Sequence, residues 1–231
     1  MHRPEWIRSP DVALLDRLQD LAGGGIRMIT VAAELPGVDE LVKHASERGI
    51  VVSLGHQLAG EEAVGRLCRA GARALTHLGN GVPEQLHRHR NPVWAGLAVE
   101  SLSAMFVADG HHLPDSLLKI FLRTKGVSKC IAVSDASPLA GLPHGAYEWG
   151  GVSVVLDEDG SLHQAHGPYL AGSSATLLVC MNHLASLGVL APDELRRLGY
   201  DNPLDLIGCE PPPAVEGVSV RFDPQTGQWV L

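Results

Sequence analysis

The chain has 231 residues and a mass of 24.5 kDa, enough for one large domain or two small ones and for a sizeable buried core. Hydrophobic residues at 45% against 19% charged exclude a disordered chain, and 4% aromatic leaves the core to Val, Leu, Ile and Ala. A formal net charge of −8 argues against a general nucleic-acid binder, which carries a basic face.

The segment from Met1 to Trp6 has no apolar signal character, and no apolar run approaches the ~18 residues needed to cross a bilayer. The expectation is a cytoplasmic protein with no membrane partner. Four cysteines (Cys68, Cys130, Cys180, Cys209) lie far apart without CxxC pairing, which fits reduced thiols.

Residues 26–34 read as a first strand, broken by Pro36 and Gly37. Residues 38–48 read as a helix with Leu41, Val42 and Ala45 on one face, closed by Gly49. A strand at 50–55 follows, then a helix at 61–70 with Ala63, Val64 and Leu67 inward and Gly71 at its end. Residues 72–78 form a third strand, after which a polar loop runs to Pro92. The fourth strand is 103–108. Pro114 opens a helix that runs to Lys125 and stops at Gly126. The fifth strand is 130–134.

From Tyr147 the pattern changes. Strands at 152–156 and 162–164 flank a hairpin signal at Asp157–Gly160. Helices are expected at about 174–187 and 192–198. Residues 210–214 are a Pro-rich linker, and a terminal hairpin turns around Gly227. The domain expectation is therefore a main unit over 1–209 with a hairpin insert near 147–166, and a small β unit over 210–231.

Alternating apolar strands and amphipathic helices specify a parallel α/β sheet covered by helices, either open or closed into a barrel. An open dinucleotide fold would place a glycine-rich loop after its first strand. Gly23, Gly24 and Gly25 precede one instead.

The ends of the strands carry the chemistry. They present Glu34, then His56, then Thr76 and His77, then Asp109, His111 and His112, then Ser134 and Asp135. In a parallel sheet these groups share one edge, where active sites form in barrels. Two imidazoles on adjacent strands can hold a divalent ion, with zinc first among the candidates. Such an ion activates water and polarises a carbonyl, and Asp135 is placed to shuttle the proton. The alternative roles are a helix N-cap for Asp135 and a buried pair bonded to backbone for His56 and His77. The cationic loop Leu86–Arg90 reads either as an anion site or as a solvated charge run. His44, His144, His163, His166 and His183 fall on helix surfaces or loops and are assigned no function.

These residues together resemble the N-acetylglucosamine-6-phosphate deacetylases of the amidohydrolase superfamily. The matching stretches are Val51–His56, Gly71–Ala72 with Thr76–Gly81, Ala108–His112, Val133–Ala136, Leu170–Ser174 and Asn202–Pro203, in the family's order. The stretch His87–Trp94 looks like a divergent branch. The resemblance implies a (β/α) TIM barrel with the remnant of a small β-sandwich. It implies His56 and His77 as metal ligands and Asp135 as catalytic acid/base. It also implies substrate contacts at His2, Asn80, Gly81, Arg90, His112, Leu170, Ala171 and Gly172. The implied partner is a small amino sugar phosphate, and the implied reaction is removal of its N-acetyl group.

The family's remaining metal ligand is a glutamate in a Leu-Glu-Gly-Pro-type motif, upstream of the segment that residues 2–8 resemble. The expectation is thus a member truncated or divergent at its N-terminus, with the barrel incomplete there. Glu34 aligns with a glutamate of the next strand that is not the usual ligand. Two alternatives accompany the deacetylase: a non-catalytic relative that binds sugar phosphate, and an amidohydrolase acting on another amide. Exposed apolar strand edges invite pairing with a second chain, so a homodimer is expected as well.

Overall fold

A computed structural model describes residues 4–167, 169–213, 215 and 219–231. Helix α1 (Val12–Leu21) opens the fold, capped by the Asp11 carboxylate, which accepts from the Leu14 amide at 3.0 Å. It was not legible in the sequence. Its leucines lie on several sides, and only Leu15 is buried.

The centre of the molecule is a five-stranded parallel sheet in the order β1-β2-β3-β4-β5. Its strands are β1 (Met28–Val31), β2 (Val51–Leu54), β3 (Ala72–Leu75), β4 (Ser103–Val107) and β5 (Cys130–Val133). The first strand is shorter than the 26–34 expected, because the chain turns from Ala33 towards Pro36. Crossovers are made by α2 (Val38–Glu47), α3 (Glu61–Ala70), α4 (Pro92–Ala98) and α5 (Asp115–Lys125). Helix α4 begins at Pro92, where the expected polar loop ends, in a stretch to which the sequence assigned no element. Asn91 caps it by accepting from the Val93 and Trp94 amides.

Side chains alternate between the faces of the sheet. Val52, Leu54, Leu75, Ala104, Phe106, Cys130 and Ala132 face the crossover helices and join Val42, Val64, Leu67, Leu118 and Phe121 in the main core. The other face holds a smaller cluster of Val51, Ala74, Met105 and Ile131, closed by Leu206. The described residues form an open sheet with β1 and β5 at its edges. A closed barrel is not formed among them.

After β5 comes a three-stranded antiparallel sheet of β6 (Gly145–Trp149), β7 (Val152–Leu156) and β8 (Leu162–Gln164). The sequence indicated only the last two. The first is joined by a two-residue turn, Gly150 and Gly151, both at positive φ (60° and 79°), the conformation that matches strand twist in a tight hairpin. Helix α6 (Leu177–Ser186) follows. Next, α7 (Pro192–Arg196) runs through a π turn (Arg197–Asp201) into α8 (Asn202–Ile207). The Asn202 side chain donates to the Val127 and Cys130 carbonyls, at 2.7 and 2.8 Å, and so pins α8 to the start of β5. A terminal hairpin of β9 (Arg221–Asp223) and β10 (Gln228–Val230) docks on α6. There Asn182 exchanges hydrogen bonds with the Trp229 backbone.

Candidate active site

The parallel order of β2 to β5 carries His56, His77, His112 and Asp135 to one edge of the sheet, each just beyond the C-terminal end of its strand. His56 and His77 are brought together. Their Nε2 atoms are 2.8 Å apart, and the rings meet edge to face with centroids 4.5 Å apart. His77 is buried, and its Nδ1 has no hydrogen-bond partner among the described residues.

The backbone pays a strain cost to place them. Among the described residues, the non-glycine positions at positive φ are His56 (52°), His77 (31°) and Asp135 (52°). Such backbone costs of order 1 kcal/mol or more per residue and persists where surroundings enforce it, which is characteristic of functional sites. These same three residues were singled out in the sequence as metal ligands and acid/base. Asp135 is exposed and is followed by an extended bridge from Ala136 to Ser173, so it does not cap a helix.

The supports are local. A Cβ on Gly55 would meet Thr76 Cβ at 2.6 Å, so only glycine lets the His56 turn pass so close to β3. Beneath it, Thr76 Oγ1 is hydrogen-bonded to Ser53 Oγ (2.6 Å) and Thr30 Oγ1 (3.0 Å). The turn at Asn80 and Gly81 closes over the histidine pair. A Cβ on Gly81 would lie 2.9 Å from His77 Cε1 and 3.0 Å from His56 Nδ1. The Asn80 Nδ2 is buried without a hydrogen-bond partner among the described residues.

A second group surrounds Asp135. The Leu170–Gly172 segment runs against it. Ala171 N donates to Leu162 O (2.9 Å), and a Cβ on Gly172 would sit 3.7 Å from Asp135 O. Ser173 N donates to Asp135 O (3.2 Å), and Ser137 N donates to Ser173 O (2.8 Å). Ser173 Oγ also donates to Asp109 Oδ2 (2.9 Å), which links this group to the end of β4. There His112 Nδ1 lies 2.7 Å from Asp109 Oδ2.

Asp109 was read only as part of its motif and given no role. It is buried at 7% exposure. Burial works to raise its carboxyl. The His112 ring and the His112 and His111 amides outweigh that and hold it well below the usual carboxylate range. Its Asp-Gly-His-His setting at a strand end was the available signal.

Other expected residues stand apart. His2 lies outside the described residues. Arg90 is exposed in its loop, where His87 Nδ1 accepts from the His89 and Arg90 amides. Glu34 is exposed and accepts from the Leu58 amide at 2.8 Å. Two facing imidazole nitrogens suit a borderline divalent ion. Among the described residues, no group of three or more His, Cys, Asp or Glu is gathered that could complete such a site.

No protein-family model matches the chain. A Bacillus subtilis N-acetylglucosamine-6-phosphate deacetylase is 36% identical over 152 residues, covering 66% of this chain and 38% of that protein. One from Lysinibacillus sphaericus is 31% identical over 198 residues, covering 86% and 51%. The chain belongs to the N-acetylglucosamine-6-phosphate deacetylase family. The crystal structure of the Pasteurella multocida deacetylase superposes with a TM-score of 0.80 at 28% identity, over 90% of this chain and 54% of that one. The chain spans about half the length of the deacetylases it matches.

Proposed function

We propose that the chain carries the hydrolytic edge of an N-acetylglucosamine-6-phosphate deacetylase. The observation that supports this best is the left-handed backbone at His56, His77 and Asp135, three strained residues just beyond β2, β3 and β5 in a fold similar to that family's. His56 and His77 would hold a divalent ion, zinc first, through their facing Nε2 atoms. Such an ion supplies Lewis acidity, which lowers the pKa of water and polarises a carbonyl. Asp135, exposed at the mouth, takes the proton of the attacking water and returns it to the leaving amine. His112, with Nδ1 against Asp109, turns Nε2 towards the scissile carbonyl. The orphaned Asn80 Nδ2 donates to the sugar phosphate, and the Gly81 and Leu170–Gly172 backbones shape its seat. By the resemblance, Arg90 would take the phosphate, and His2, outside the described residues, would be a further substrate contact.

In the same reading the five strands are an arc of a TIM barrel spanning 1–209, and residues 210–231 belong to a β-sandwich. The protein works in the cytoplasm, and its open edges are covered in a homodimer.

A zinc titration paired with an acetate assay tests this. One zinc per chain, lost in His56→Ala and His77→Ala, with acetate released from N-acetylglucosamine-6-phosphate, is the expected result. A folded chain that takes up zinc and releases no acetate contradicts it. That outcome supports the second reading, a non-catalytic sugar-phosphate binder, which fits a histidine pair with no third ligand gathered among the described residues.

A further inference from the structure

The Asp109 carboxylate accepts four hydrogen bonds. Oδ1 takes the His111 and His112 amides, each at 2.9 Å. Oδ2 takes the His112 ring at 2.7 Å and Ser173 Oγ at 2.9 Å. A carboxylate has about four lone-pair directions, so its capacity is filled. The turn is held from behind as well. A Cβ on Gly110 would meet the His183 ring at 3.3 Å, and His183 Nε2 is 3.1 Å from Asp115 Oδ1. The His112 ring cannot rotate without breaking its buried charged bond to Asp109, and such bonds are strongest where water is excluded, whereas the His183–Asp115 contact behind the turn is exposed.

We propose that Asp109 is a positioning residue: it fixes the His112 ring with Nδ1 as the donor, and through Ser173 it ties that ring to the backbone on which Asp135 stands. A carboxylate can only accept, so the Nδ1 facing it carries the proton. Nε2 is then the nitrogen left to meet a ligand. The buried negative charge balances the ring when Nε2 is protonated too and donates to a carbonyl oxygen. The catalytic part of this proposal rests on the deacetylase reading. The part concerning the ring does not.

The test is nitrogen-15 spectroscopy of the histidine rings, with the His112 signals assigned by their loss in His112→Gln. In the unsubstituted chain the His112 Nδ1 is expected to be protonated. A neutral ring protonated only at Nε2 overturns the proposal without any variant. In Asp109→Asn the amide can keep the backbone bonds through its oxygen while its nitrogen donates to the ring. The tautomer ratio should then shift towards Nε2–H by at least about tenfold. A folded Asp109→Asn chain that retains Nδ1–H also overturns the proposal. If the chain turns over N-acetylglucosamine-6-phosphate, Asp109→Asn should lower kcat by roughly 10²–10⁴-fold with KM little changed. An unchanged kcat in the variant overturns the catalytic part. Absence of turnover in the unsubstituted chain removes the deacetylase reading and leaves the nitrogen spectrum to decide Asp109.

Discussion

A histidine in left-handed backbone brings its Cβ against its own carbonyl, at a cost of roughly 1–2 kcal/mol. His56 accepts that conformation although the residue as a whole is exposed and its ring meets His77 at the edge of the site, so burial in the core does not explain it. His56→Gly removes the strain, while glycine loses more backbone entropy on folding. The variant should be neutral to stabilised by up to about 1 kcal/mol in urea denaturation, yet lose zinc affinity by more than about tenfold. A loss of stability above about 1 kcal/mol would show that the backbone there is not strained. The residue types of the site were legible because each stands just past an apolar run. The conformation was not, since a positive φ at a non-glycine residue leaves no mark in sequence. Asp109 stayed unread for a related reason. Its bond to His112 is local, but the tie that joins it to the Asp135 segment is a contact with Ser173, 64 residues away.

Elements with one apolar face could be read directly. Helix α2 buries Val38, Leu41, Val42 and Ala45 and leaves the rest half-buried or exposed, and its expected bounds nearly match. Helix α4 has about two turns and follows a polar loop, so it offers too little periodicity. Strand β6 has a mostly exposed face and depends on its turn and on β7. The C-terminus of α5 carries a testable charge. Lys125 is 8% exposed and donates to the Val99 carbonyl at 2.5 Å, and burial pushes its amine down to about 8. Between pH 8 and the ordinary lysine value of 10.5, the unfolded chain binds more protons at this site. Its contribution to stability therefore rises with pH through that window. The buried thiols act oppositely from pH 9 upward, because burial raises Cys130 to about 12 and Cys180 to about 11. The difference between the unsubstituted chain and Lys125→Met isolates the amine. Denaturation midpoints at pH 7.5 to 9 should show that difference moving in favour of the unsubstituted chain, and a flat difference would show that Lys125 titrates normally.

At the scale of the whole molecule, the two faces of the sheet are unequally covered. The helical face holds the main core, whereas the other face is closed chiefly by Leu206 from α8 over Val51, Ala74, Met105 and Ile131. A cavity of about 400 Å³ opens beside this cluster, lined by Met28, Met105, Ile131, Asp135, Pro203 and Leu206. Leu206→Ala should cost about 2–4 kcal/mol by calorimetry or denaturant. A cost below about 1 kcal/mol would mean that the face is not a second core. The alternation of strand and helix foretold a parallel sheet with its reactive edge, since that pattern follows from local periodicity. Closure into a barrel depends on pairing between distant strands, which no local pattern encodes.

The proposed deacetylation at this edge relies on Asp135 as the proton carrier. Its most direct measurement is steady-state acetate release from N-acetylglucosamine-6-phosphate by the zinc-supplied chain, beside Asp135→Asn at equal zinc content. Turnover is expected in the first, and a rate lower by at least about 10²-fold in the second. Equal rates in the two, or no acetate from a folded and zinc-loaded chain, would contradict it.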